Sequence, residues 1–428
     1  MLYLLTKLIA KISFLAVYRK VYIINEDNVP GDRAALITCN HPNGFVEPLV
    51  IGGYIPHKIY FLVRGDVFRK KLARYLLNAI HCIPIFRFRD GFASMRKNND
   101  SINEALEALS RKKPLIIFAE GSTQQVRYVR PIQKGSIRLA FDTLQNAPES
   151  NPCIIPSFIH FTDPQFYRSE VIMEYGAPIN IVDYGELYET HKAKAIKKLL
   201  DDVNSAMQEL SIMVDPAIET KDADTVFEIA RSTVREKNIF PIIQKVKNSP
   251  NRDAERNAGR HFSRMDEGSR SLLISEITDL KKQSDSAGIN YEQLSGRTRS
   301  NYMNLMMLII GFIPFLLGYI FNVLPITLAR YFSKNKVKKI EFKAVMKLIP
   351  FLSLYPPYLL ILGSILAFAS WKSVLFVFLI PFLGWYSFVY KAQFKEFLAN
   401  INYKNLNTES RDIMQQAYRN ILAKLSII

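Results

Sequence analysis

Residues 39–50 of this 428-residue chain read CNHPNGFVEPLV, and they set His41 and Glu47 six positions apart, directly after the apolar run AALIT. A histidine titrating near neutrality is a natural general base for a hydroxyl proton. It needs a carboxylate to fix its tautomer and to stabilise the imidazolium once the proton has moved, and Glu47 is the candidate. No serine sits in a Gly-x-Ser-x-Gly elbow, so a covalent acyl-enzyme is not indicated. Direct attack by a substrate hydroxyl needs only the base. Two further loops gather charge. IPIFRFRDG (83–91) carries Arg87 and Arg89, and FAEGSTQQVRYVRPIQKG (118–135) carries Glu120, Gly121 and Ser122, then Arg127, Arg130 and Lys134. The cationic side chains suit an anion, and a Gly-Ser turn opens backbone N–H groups toward one. Each loop alone also fits a plain surface turn with solvated charge.

The elements around these loops give them their place. Strand candidates AALITC, KIYFLV, CIPIF, PLIIFA, CIIPSFIHF and EVIMEY alternate with helical patterns around 66–80, 101–112 and 134–146. Ser101-Ile102-Asn103-Glu104 has the pattern of a capping box opening the second helix. Strand and helix alternating at this pitch predict an α/β domain over 26–189, a mixed but substantially parallel sheet flanked by helices. In such sheets functional groups collect on loops at strand ends.

Outside that domain the chain changes character. Residues 1–25 are apolar around most of a helix with Lys7 and Lys11 four apart, which predicts an interfacial helix whose lysine stems snorkel toward headgroups. Residues 190–302 are polar and helical in pattern, and read as an extension of the α/β domain. The segments 303–329, 349–369 and 373–390 carry no charge. Runs of about 20 apolar residues match the hydrocarbon thickness of a bilayer. Residues 303–390 are therefore predicted as membrane-embedded helices, and 391–428 as a C-terminal cytoplasmic helix. The intervening stretch 330–347 holds seven Lys+Arg and one Glu, so the positive-inside rule makes it cytoplasmic. With the α/β domain on that same side, 303–329 is expected to be a re-entrant or in-plane pair broken at Pro314, Gly318 or Pro325. The next two segments are expected to form a hairpin turning at Ser370-Trp371-Lys372.

Composition agrees with a membrane setting. Hydrophobic residues make up 49% and aromatics 12%, and the formal net charge is +17, which suits an anionic surface. Residues 1–140 alone hold 22 Lys+Arg against 10 Asp+Glu. A nucleic-acid partner would explain the charge but neither the apolar C-terminal third nor the His41–Glu47 pair, so none is expected. Cys39, Cys82 and Cys153 are odd in number and lack metal-type spacing, which fits a reducing compartment, with no disulfide scaffold, metal or cofactor. Lys7, Lys11, Arg19 and Lys20 interrupt the apolar start, and no small-residue cleavage site follows, so it does not read as a signal peptide.

The blocks NHPNGFVEP, IPIFR, FAEGS and IIPSFIHF, in that order, resemble the glycerolipid acyltransferases, which acylate glycerol-3-phosphate and 1-acylglycerol-3-phosphate. The resemblance spans residues 35 to 165 and extends through LVRGDVF and RPIQKGSIRLAF. It implies that His41 is the general base and Glu47 its orienting acid. It also implies that Arg87, Glu120 and Gly121 bind the acceptor phosphate and order the site, and Asn43 and Ser122 join the substrate-binding set. Three departures stand out. The acid is Glu after five residues rather than Asp after four, Ala119 replaces a proline, and no arginine directly follows Glu-Gly-Ser. Arg127, Arg130 and Lys134 therefore remain alternatives for the phosphate. The expected protein is an integral membrane O-acyltransferase with its catalytic domain on the cytoplasmic face. Its partners would be membrane lipids, a glycerophosphate acceptor, and acyl-CoA or acyl-carrier protein as donor. The rival is a non-catalytic lipid-binding or scaffold protein on the same fold.

Overall fold

Four strands bury every residue: Lys20–Ile24 (β1), Ala35–Cys39 (β2), Cys153–Phe161 (β6) and Glu170–Tyr175 (β7). Near-continuous Val/Ile/Leu runs of this kind belong to parallel sheets covered on both faces. The computed structural model describes residues 2–44, 46–86, 98–163, 169–213, 215–234, 242–296, 301–335, 341 and 345–426. With Tyr60–Arg64 (β3), Cys82–Ile85 (β4), Leu115–Phe118 (β5), Ile179–Asn180 (β8) and Ile242–Val246 (β9), the strands form one sheet. Its order is β4-β3-β5-β2-β6-β7-β1-β9, with β8 beside β6. Pairing is parallel except where β6 meets β7 and β8. The mixed α/β sheet flanked by helices is as the sequence predicts.

The chain divides into two compact units, one of residues 1–211 with 241–249, the other of 212–240 with 250–428. In the first unit, helix α1 (Leu2–Val17) stops before β1, so 1–25 is a helix followed by a buried strand rather than one interfacial helix. The strand escapes notice because KVYII merely continues an apolar run. α1 packs on α2 (Val46–Tyr54) through Ala10, Ser13 and Phe14. Lys7 donates to the Ile55 carbonyl at the end of α2, and Lys11 lies 5.8 Å from the Tyr54 ring centroid. Both lysines thus turn toward α2, where a cation suits a helix C-terminus, and do not snorkel outward. Burial pushes the Lys7 amine below its ordinary range. The outward face of α1 is apolar: Leu4, Leu5, Leu8, Ile9 and Ile12 are exposed.

Next come α3 (Lys71–Ala79), α4 (Asn98–Ser110), α5 (Lys134–Asn146), α6 (Gly185–Thr190) and α7 (Lys192–Leu210). α4 begins three residues before Ser101, so the expected capping box lies inside the helix. The polar segment 190–302 is not one extension. α7 belongs to the first unit, and β9 adds a strand beside β1.

Among its described residues the second unit is helical apart from its connections: α8 (Thr220–Arg231), α9 (Pro250–Arg264), α10 (Glu267–Ser286), α11 (Tyr291–Leu294), α12 (Asn301–Asn335), α13 (Val345–Ala369), α14 (Ile380–Asn405) and α15 (Thr408–Lys424). The expected break in 303–329 is absent, because α12 runs through Pro314 and Pro325 over 35 residues, about 52 Å of helix. Pro325 cannot donate to the Phe321 carbonyl one turn back. Tyr358 on α13 does so instead, its hydroxyl 2.6 Å away. α14 lies antiparallel to α12. Asn322 donates to Ile380 O at 3.1 Å, Ser387 to Phe315 O at 3.1 Å, and Gln393 contacts Met307 Sδ at 3.6 Å. The chain turns at residues 370–372 as expected, and Ser370 caps a 3-10 stretch, Trp371–Leu379. Among the described residues two segments are long and apolar enough to cross a membrane, Tyr302–Tyr331 and Trp371–Asn405.

Candidate active site

Strand register sets the site. Cys39 of β2 pairs with Phe118 of the parallel β5, so two residues past each strand end come His41 and Glu120, side by side. Three bonds lock the two turns together. Ala119 N donates to Cys39 O at 3.2 Å, His41 N to Glu120 Oε2 at 3.1 Å, and Gln124 N to His41 O at 3.1 Å. On the other flank, the buried Asn40 amide bridges to β6, donating to Ile159 O at 3.0 Å and accepting from Ile159 N at 2.7 Å. The turn carrying His41 is therefore pinned to both neighbouring strands.

Glu47 lies in the first turn of α2, where negative charge is favoured by the helix dipole. Its Oε1 accepts the Asn43 N–H, and its Oε2 lies 3.6 Å from His41 Nδ1. That separation is just beyond hydrogen-bond reach, and catalytic contacts of this kind tighten in complexes. The Glu47 side chain is 0% exposed and that of His41 17%, so the carboxylate is sealed in and the imidazole stays accessible. The imidazole stacks on Phe118, with centroids 4.1 Å apart and planes at 18°. With the ring held this way, a proton on Nδ1 faces the carboxylate and leaves the Nε2 lone pair to act as base. Burial, then Glu47, raises the Tyr18 hydroxyl above its ordinary range, and the Cys39 thiol is raised by burial, then by Glu47 and Glu120. Neither group competes for the proton near neutrality. Asn43 is buried, and both its amide atoms lack a partner among the described residues.

Glu120 is a structural hub. It accepts from Arg130 N at 3.0 Å, Nε at 3.1 Å and Nη2 at 2.6 Å, besides His41 N. Arg130 also donates to Ser122 Oγ at 2.9 Å and to the Ser122 carbonyl. Gly121 sits at φ +71°, the left-handed turn that lets the loop fold back so that Arg130 reaches Glu120. Arg127 is buried and donates to Phe161 O at 2.6 Å, so it is not presented to an anion in solvent. Lys134 opens α5 and is exposed. Arg87 and Arg89 lie outside the described residues. The structure thus gathers His41, Asn43, Glu47, Glu120, Gly121, Ser122 and Arg130. It adds Asn40 and Phe118, which sequence reasoning passes over. Among the described residues no group of three or more His, Cys, Asp or Glu side chains could hold a metal ion.

The acyltransferase family model matches residues 20–160 of the chain. This segment is an acyltransferase domain. It includes β1 through all but the last residue of β6, and with them every candidate residue from His41 to Lys134. A 1-acyl-sn-glycerol-3-phosphate acyltransferase of Bacillus subtilis is 23% identical over 201 residues, 46% of this chain and 90% of that one. Glycerol-3-phosphate O-acyltransferase 2 of Saccharomyces cerevisiae is 26% identical over 118 residues, 27% of this chain, and the chain spans only 16% of that relative. A crystal structure of the LPA acyltransferase of Thermotoga maritima aligns with 49% of this chain and 79% of its own, at 17% identity and a TM-score of 0.36. The acyltransferase domain, like the site, lies wholly in the first unit.

Proposed function

We propose that the chain moves a fatty acyl group from acyl-CoA or acyl-carrier protein to a hydroxyl of glycerol-3-phosphate or 1-acylglycerol-3-phosphate at a membrane. The observation that carries this is His41 with Nδ1 turned to the buried Glu47, on a turn pinned at the end of two parallel strands. His41 Nε2 takes the acceptor's hydroxyl proton as its oxygen bonds to the thioester carbon. The tetrahedral intermediate collapses, the C–S bond breaks, and the departing thiolate takes the proton back from the imidazolium. Glu47 stays ionised and balances the transient cation. Glu120 and Arg130 hold the turns in place, and of the three alternatives for the acceptor phosphate Lys134, at the N-terminus of α5, is the exposed one. The two long apolar helices support integral membrane association, and the thioester donors place the domain on the cytoplasmic face.

Purified protein in detergent, given labelled acyl donor with each acceptor in turn, should release thiol and form acylated product with at least one pair. His41→Ala should lower that rate by about 10²–10⁴ at unchanged folding. Activity near wild type in that variant removes His41 as base. Absence of transfer by the wild-type chain with every pairing favours the lipid-binding reading instead.

A further inference from the structure

The helix after β3 carries a surface that the acyl-transfer chemistry does not use. α3 buries none of its residues, and Leu72, Tyr75 and Leu76, spaced to share one face, are 71%, 70% and 43% exposed. Arg69 and Lys70 lead into α3, Lys71 opens it and Arg74 follows one turn on, and all four are exposed. No acidic residue occurs from Val67 to Phe86. An exposed apolar stripe beside a basic cluster on one short helix is the composition of a membrane-interface helix. α3 also adjoins a second exposed apolar surface. Tyr3 at the start of α1 stacks on His81, just past α3, at 4.9 Å, and its hydroxyl accepts the Ile59 N–H at 3.1 Å. The exposed leucines of α1 therefore start beside the end of α3.

We propose that α3, together with the outer face of α1, docks the acyltransferase unit on an anionic lipid surface. A second copy of the chain would set one basic cluster against another, and a neutral apolar partner would leave that cluster unmatched. Anionic headgroups satisfy the basic cluster while the acyl boundary takes Leu72, Tyr75 and Leu76. The inference does not depend on which acceptor or donor the enzyme uses.

The test uses the full chain in nanodiscs of mixed phosphatidylcholine and phosphatidylglycerol. A single added cysteine, Tyr75→Cys or, as a control elsewhere on the unit, Glu149→Cys, carries an environment-sensitive fluorophore. The native thiols are buried, and unsubstituted protein gives the labelling background. Doxyl lipids labelled near the headgroup should quench the probe at position 75 severalfold more than the probe at 149. In discs of phosphatidylcholine alone the contrast should shrink. Equal quenching at the two positions overturns the docking, and leaves another protein as the occupant of the stripe. Equal contrast in charged and neutral discs overturns the anionic commitment. Thiol release by both labelled variants, measured in detergent, keeps failure of docking distinct from failure of acyl transfer.

Discussion

Glu47 is long for its task. A glutamate starting from the first turn of α2 puts one oxygen on the Asn43 N–H and the other 3.6 Å from His41 Nδ1. Its role as an anion can be separated from its role as a spacer. Glu47→Gln preserves the shape but cannot balance the imidazolium, and should lose most of the rate with acceptor KM little changed. Glu47→Asp keeps the charge at shorter reach and should retain more activity than Gln. A Gln variant matching wild type in kcat would make Glu47 a helix-capping residue only. His41 and Glu47 are legible in the sequence because their types and spacing state a chemistry. Asn40 and Phe118 are not. Asn40 matters through one main-chain partner on β6, and Phe118 through a ring stacked on His41, and both contacts exist only once three strands are in register. Arg130 was legible as a cation near the site, but its commitment to Glu120 came only from the fold-back at Gly121.

At the level of elements, the strands flanking the site could be read closely, with β6, β7 and α5 coinciding with their sequence runs. Apolar runs bounded by polar loops suffice for that. β1 was hidden in the continuation of an apolar helix, and β9 in a polar stretch with too few residues to show a period. The proline argument for α12 failed for a reason the sequence does not display, since the freed Phe321 carbonyl finds its donor on another helix. That compensation predicts a coupled pair of substitutions. Tyr358→Phe leaves a carbonyl in apolar surroundings without a partner and should destabilise the second unit by about 1–3 kcal/mol, read as a lower midpoint of unfolding in detergent. Pro325→Ala restores the backbone N–H, so in that background Tyr358→Phe should cost little. Equal losses in both backgrounds would mean that Tyr358 contributes packing alone.

At the level of the molecule, the second unit closes on itself at one end of the α12–α14 pair. Gln293 bonds to Asn400 at 2.8 Å, Asn402 to Gly288 O at 3.0 Å, and α15 packs on α10. The start of α12 and the end of α14 are thus at one level, and the stretch after α12 is at the other end. If the pair crosses a bilayer, the chain leaving α12 is across it from the packed ends of α10 and α15, so the basic residues from Arg330 onward and that packed end cannot both be cytoplasmic, as the positive-inside rule would want for the former. The unbroken α12 carries more weight than a charge count, so a cysteine at Lys336 should react with an impermeant thiol reagent in intact cells, and one at Glu409 should not. Protection of Lys336 would keep α12 and α14 within one leaflet. One other consequence of the architecture concerns synthesis. β9 closes the sheet edge beside β1, yet it follows residues 212–240 of the other unit. Until the ribosome has made residue 246, β1 presents an open row of N–H and C=O groups, at roughly 5–20 residues per second for the stretch from 212. A fragment ending at 211 would keep that edge open permanently and should self-associate through it. The natural boundary for expressing the acyltransferase unit by itself is therefore not a single cut but a loop-bridged fusion of 1–211 to 241–249.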